Sequence, residues 1–90
     1  MNLAHHLKKT NSPRLQGKIK ALVKIIPEKY NAEVKFSKRR IWFSENGRKF
    51  MQVVIGKNKL LIKIKVNNKW EELNYPSRED FRRIYWLLGN

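Results

Sequence analysis

The sequence predicts one α+β domain: an N-terminal helix, a four- to five-stranded antiparallel meander sheet and a C-terminal helix. Three observations predict it: an apolar stripe at helical spacing over 13–27, apolar-polar alternation over 33–66, and a second helical stripe near the end. A chain of 90 residues suits a single core. Because each element is apolar on one side, we expect both helices on one sheet face. We assign residues 13–90 to this domain and residues 1–12 to a flexible basic tail.

The first helix begins with a strong cap signal. Ser12 suits the N-cap and Pro13 the first helical position, where its missing N–H costs nothing. Pro27 predicts the end of this helix, with a short turn through Tyr30. The apolar stripe consists of Leu15, Ile19, Leu22, Val23 and Ile26. In the tail before it, His5 and His6 have no third ligand at metal spacing, so we expect them to be solvated.

Alternating residues then predict the sheet. The inward-facing positions are Val34, Phe36, Ile41, Phe43, Met51, Val53, Ile55, Leu60, Ile62, Ile64 and Val66. Turn-forming residues separate these runs, and a short fifth strand is predicted over Trp70 to Leu73. The closing helix has capping-box spacing at Ser77 and Asp80, and Gly89 suits its end.

Parity fixes the register of the central hairpin. A two-residue Asn46-Gly47 turn would switch the apolar face halfway through the sheet. A three-residue loop from Glu45 to Gly47, with Gly47 left-handed, keeps Phe43 and Met51 on one face. This register pairs Ile41 with Met51 and Trp42 with Phe50.

Charge is the main functional signal. Lys and Arg number 21 against seven Asp and Glu, which gives a net charge of +14. Such a field attracts polyanions, so we expect nucleic acid as the partner, although lysine-rich codon usage would also raise the charge. The absence of cysteine excludes disulfides and thiolate metal sites, and no apolar run is membrane-length. We therefore expect a cytoplasmic protein with no cofactor, no metal and no membrane contact.

The expected interface is the sheet face opposite the helices, together with basic loops. Aromatic rings among cations suit single strands, whereas loop cations suit the phosphate backbone. The candidate nucleic-acid-binding residues are Lys35, Lys38, Arg39, Arg40, Trp42, Arg48, Lys49, Phe50, Lys63, Lys65 and Trp70. The predicted function is largely sequence-independent, non-enzymatic nucleic-acid binding, with an accessory role in nucleic-acid processing or defence as one setting.

Two alternatives remain open. The apolar residues of the same face could form a second small core, a homodimer interface or a docking site for an acidic protein. A metal-independent, toxin-like ribonuclease is the second alternative, because such sites need only Arg, Lys, Tyr and one Glu. We find no catalytic set: Glu71 and Glu72 are adjacent on a strand, so they point to opposite faces.

A resemblance covers the segment from Ala32 to Val66. Its motifs are Glu33-Val34-Lys35, Arg40-Ile41-Trp42-Phe43, the run from Gly47 to Val54, and Lys59-Leu60-Leu61-Ile62-Lys63-Ile64. This pattern resembles a small α/β domain of unknown function found at the C-terminus of predicted transport proteins and beside restriction and nuclease modules. The chain departs from the pattern at Trp42 and after Val66. The resemblance implies a helix, an antiparallel sheet and a closing helix, and transfers no catalytic residue.

Overall fold

A computed structural model describes residues 2–75, 84 and 87–89 of the chain. It contains helices α1 (Leu3–Leu7) and α2 (Pro13–Tyr30) and strands β1 (Glu33–Phe36), β2 (Arg40–Glu45), β3 (Arg48–Ile55), β4 (Leu60–Val66) and β5 (Lys69–Tyr75). The strands form one five-stranded antiparallel sheet in the order β1-β2-β3-β4-β5. The predicted α+β meander is therefore confirmed, with the fifth strand longer than expected.

Helix α2 begins where the sequence predicts and ends later. The Ser12 hydroxyl oxygen accepts a hydrogen bond from the Leu15 N–H at 3.2 Å, so the predicted N-cap is confirmed. The expectation that Pro27 ends the helix is wrong, because the helix runs through Pro27 to Tyr30. Proline removes one donor, but near the end of a helix its carbonyl still accepts bonds. Here the Pro27 carbonyl accepts from Asn31, the left-handed C-cap, and from Ala32.

The core is one apolar cluster to which α2 and the sheet both contribute. The buried α2 residues Leu15, Ile19, Leu22 and Ile26 belong to the same apolar cluster as the inward-facing strand residues. The buried strand members are Ile41, Phe43, Met51, Val53, Ile55, Leu60, Ile62, Ile64, Leu73 and Tyr75. Arg14 ties α2 to β5, since its Nε donates to the Tyr75 hydroxyl at 3.0 Å. The predicted C-terminal helix falls mostly outside the described residues, although Ile84 and Leu87 are described and belong to the core.

The prediction of a flexible tail over residues 1–12 does not hold for all of it, because α1 and the residues after it pack against the rest of the fold. Asn2 caps α1 through a bond from the His5 N–H, and Leu3 and Leu7 pack against the core. His6 is 0% exposed rather than solvated. Leucines four residues apart give α1 an apolar side, which explains its docking even though five residues are too few for a stable isolated helix.

The central hairpin keeps the predicted core face but reaches it by a different register. Asn46 and Gly47 form a two-residue turn with φ of 51° and 78°, and Glu45 pairs with Arg48. Parity is restored by a bulge, since Ser44 pairs with Lys49 whereas Phe43 pairs with Met51. The extra residue is therefore Phe50, and the predicted three-residue loop is wrong. A bulge redirects the side chains next to it.

Candidate nucleic-acid interface

Strand register collects polar and aromatic side chains on the face opposite the core. One row across all five strands contains Lys35, Trp42, Gln52, Lys63 and Glu72. The next row contains Arg40, Val54, Leu61 and Asn74. Trp42, Val54 and Leu61 are half-buried and lie outside the core cluster. We call this side the open face.

Trp42 carries two cations on the open face. The Lys49 ammonium nitrogen lies 4.2 Å from the centroid of the Trp42 ring, and the Arg40 guanidinium carbon lies 5.7 Å from it. Both distances fall within the range of a cation–π interaction. Trp42 pairs with Gln52, so its predicted pairing with Phe50 is wrong. The bulge takes Phe50 out of register with Trp42, so the two rings lie in different parts of the open face.

Phe50 lies in a cleft between the β2–β3 turn and the β4–β5 turn. The cleft has a volume of about 560 Å³. Its lining residues are Gly47, Arg48, Lys49, Phe50, Lys65, Asn67, Asn68 and Trp70. This set contains three cations and two aromatic rings but no carboxylate. Five of the predicted binding residues are thus brought together: Arg48, Lys49, Phe50, Lys65 and Trp70.

Trp70 is the accessible ring of the cleft. It is 39% exposed, which is unusual for so large an apolar surface, and the Lys65 ammonium nitrogen lies 5.9 Å from its ring centroid. Lys65 and Trp70 are direct cross-strand partners in β4 and β5. Phe50 is half-buried and packs against the core, so it forms a fixed wall.

The other predicted residues lie elsewhere. Lys38 and Arg39 are exposed in the β1–β2 turn, at the opposite end of the sheet from the cleft. Lys57 and Lys59 are at that same end, in the β3–β4 loop. The Thr10 hydroxyl, three residues after α1, donates to the Lys57 carbonyl at 2.6 Å. These four cations form a second basic region, of which Lys38 and Arg39 were predicted as binding residues. Lys35 lies on the edge strand β1, where it pairs with Trp42.

Lys63 differs from the cleft cations because it is paired. Its ammonium nitrogen lies 3.6 Å from Glu72 Oε1 on the neighbouring strand. An exposed pair of this kind contributes roughly 0–1 kcal/mol to stability. It also neutralises Lys63 locally, which makes Lys63 a weaker phosphate contact than Arg48 or Lys65.

A buried histidine anchors α1 beside the second basic region. His6 Nε2 donates to the Ser37 carbonyl at 2.7 Å, and Lys9 Nζ donates to His6 Nδ1 at 3.2 Å and to the Lys38 carbonyl at 2.7 Å. This arrangement needs a neutral imidazole. Burial, and after it the Lys9 charge, lowers the pKa of His6, while burial lowers the pKa of Lys9.

Sequence reasoning missed Gly47, Asn67 and Asn68 as members of the site. Asn67 and Asn68 form the β4–β5 turn, and their place beside Arg48 depends on where β3 begins relative to the end of β4, which the residue pattern alone does not give. His6 and Lys9 were missed because α1 was assigned to the tail. A leucine pair at 3 and 7 after Asn2 was the available signal.

No protein-family model, curated protein or solved structure matches the chain. The resemblance seen in the segment from Ala32 to Val66 therefore stays a prediction. Within the described residues there is no group of three or more His, Cys, Asp or Glu that could hold a metal ion. None of the described helices combines the length and hydropathy that a membrane span requires.

Proposed function

We propose that this protein binds nucleic acid non-enzymatically and with little sequence preference, through the cleft, the open face and the loop cations beside α1. The observation that carries the proposal is the lining of the cleft, where Arg48, Lys49 and Lys65 surround Trp70 without a carboxylate among them. Phosphates need the cations, and base faces need the rings.

The charge of the whole chain supports the same partner. A net charge of +14 on 90 residues draws polyanions from solution and speeds their association. Each phosphate that a Lys or Arg neutralises releases condensed counterions, so affinity should fall steeply with salt. Contacts of this kind carry no sequence information, which is why we propose weak sequence preference.

Fluorescence anisotropy with labelled 20-nucleotide single strands and duplexes tests the proposal across a series of NaCl concentrations. We expect binding at low salt and a linear fall of log affinity with log salt. Absence of binding to any DNA or RNA at low salt would refute the function.

Two charge-matched double variants locate the contact. Replacing both Arg48 and Lys65 by glutamine should weaken binding. It should also reduce the slope of log affinity against log salt by about one per lost phosphate contact. Replacing Lys20 and Lys24, which are exposed on α2, by glutamine removes the same charge from a helix that packs on the core face. Equal effects of the two variants would mean that the charge acts without a defined surface.

Competition with polyglutamate and light scattering test the alternative that the protein binds an acidic protein or a second copy of itself. Polyglutamate presents carboxylates without bases, so we expect it to compete weakly with oligonucleotides at matched charge. Tight polyglutamate binding, or a dimer whose formation blocks DNA, would favour an acidic protein or a second copy as the natural occupant of the open face.

A further inference from the structure

We propose that the cleft holds one unpaired base of a single strand, stacked against Trp70 and bordered by the Asn67 and Asn68 amides. This inference rests on the proposed function and deepens it, since it states which form of nucleic acid the site selects. It predicts a preference for single strands over duplexes that comes from the cleft and not from total charge.

The shape of the cleft follows from two tight turns at one end of the sheet. Asn46, Gly47, Asn67 and Asn68 all have left-handed backbone angles, with φ between 51° and 78°. Two-residue turns of this type keep the hairpin ends short and close to the sheet. The cleft lies between them, and its volume of about 560 Å³ falls within the range of roughly 300–1,000 Å³ typical of small-ligand sites.

The ring and the charges are placed as a nucleotide needs them. Trp70 is 39% exposed and lines the cleft, while Lys65 and Arg48 line the same cleft and can meet the phosphate. Paired bases in a duplex are covered on both faces by their neighbours, so only an unpaired base can reach a ring inside a cleft. Base–aromatic stacking accepts any base, and removing one such ring lowers affinity by about 5- to 150-fold.

The asparagines add hydrogen-bonding groups at the rim. Each exposed amide offers two N–H donors and a carbonyl acceptor, which match the edges of bases. A simpler reason for asparagine exists, because its side chain tolerates left-handed backbone angles. Glycine tolerates these angles equally well, so Asn67→Gly and Asn68→Gly keep the turn and remove only the amides.

The test compares Trp70→Ala with Ile25→Ala. Ile25, on α2, is the other exposed large apolar residue of the described chain, with 40% exposure against 39% for Trp70. Anisotropy is measured for a single strand and a duplex of the same sequence at one salt concentration. We expect Trp70→Ala to weaken single-strand binding at least fivefold and to change duplex binding less than twofold, and Ile25→Ala to change neither.

A fluorescent base reports on stacking directly. A single strand carrying 2-aminopurine should be quenched on binding to the wild-type protein and much less on binding to Trp70→Ala. The Asn67→Gly/Asn68→Gly variant should retain the fold by circular dichroism but show a changed ranking of the four homopolymers. An unchanged ranking would assign the asparagines to the turn alone and overturn their proposed role.

The outcomes separate this inference from the function it rests on. If single strands and duplexes both bind but Trp70→Ala affects them equally or not at all, the base site is wrong and the function stands. If neither binds at low salt, the function fails. Displacement of the strand by an equal nucleotide concentration of free AMP would overturn the single-strand assignment and indicate a mononucleotide site.

Discussion

Left-handed backbone angles are concentrated in a few residues of this chain. Among the described residues, positive φ is found at Asn31, Asn46, Gly47, Asn67 and Asn68. These residues end α2 or form hairpin turns, where asparagine and glycine are the residues that adopt such angles at least cost. At the β2–β3 and β4–β5 turns, the strands therefore end where asparagine or glycine adopts these angles.

Two glycine substitutions should have opposite effects on stability. Gly47→Ala places a Cβ at a φ of +78°, so we expect a loss of about 1 kcal/mol. Gly17→Ala lies inside α2, where an added Cβ meets nothing within 4 Å, so we expect a gain of about 0.5–1 kcal/mol. Urea unfolding followed by circular dichroism measures both, and a stabilising Gly47→Ala would contradict the turn geometry.

Gln52, on the open face, has a buried hydrogen-bond acceptor that is not satisfied. Its side chain is 6% exposed and its Oε1 is buried without a hydrogen-bond partner. Such an atom costs roughly 1–3 kcal/mol, so the nearly isosteric Gln52→Met should raise the free energy of unfolding by about 1 kcal/mol. Gln16→Met is the control, because Gln16 Nε2 donates to the Leu7 and Thr10 carbonyls and its loss should destabilise by a similar amount. Destabilisation by Gln52→Met would mean that Oε1 has a partner in solution.

At the scale of elements, α2 and the five strands were predictable because each rests on a repeating pattern. Ser12-Pro13 marked the start of α2, and alternation marked the strands. The bulge at Phe50 was not predictable, because an extra residue in the loop and an extra residue in the strand restore parity equally well. Which residues line the cleft depends on that choice. The sequence therefore predicted which residue types form the site, but only part of their arrangement.

Docking of α1 should depend on pH through His6. The pKa of His6 is lowered in the fold from the ordinary value of 6.5. As the pH falls, His6 therefore binds a proton more readily in the unfolded chain than in the folded chain. Stability is therefore full above about pH 6.5 and falls as the pH drops below it. Of the cations near His6, Lys9 contacts the ring directly, with its ammonium nitrogen 3.2 Å from His6 Nδ1, and its charge opposes formation of the imidazolium.

A comparison of two glutamine variants isolates this effect. His6→Gln can keep the donor to the Ser37 carbonyl and an acceptor for Lys9 without titrating, so its stability should fall less between pH 7.5 and 5 than that of the wild type. His5→Gln removes the neighbouring imidazole and should keep most of the wild-type slope. Parallel slopes for His6→Gln and the wild type in urea unfolding would show that His6 does not drive the pH dependence.

At the scale of the whole molecule, the distribution of charge matters more than any single ion pair. The radius of gyration is 12.2 Å over the Cα atoms, so most of the cations lie within a few Debye lengths of one another at low salt. Their mutual repulsion opposes folding, and a polyanion relieves it. The excess positive charge therefore destabilises the free protein, and binding of the proposed partner would relieve this destabilisation.

Salt should consequently raise the melting temperature of the free protein and reduce the increment that nucleic acid adds to it. For the free protein, NaCl screens repulsion among the cations, so we expect the melting temperature to rise between about 20 and 300 mM. A single strand at a free concentration of 100 times Kd should add about 2.7 kcal/mol of stability at low salt, and this increment should shrink as salt weakens binding. Differential scanning fluorimetry with and without the oligonucleotide measures both trends. A free protein whose melting temperature falls with added NaCl would contradict the repulsion, and an oligonucleotide increment independent of salt would contradict phosphate contact.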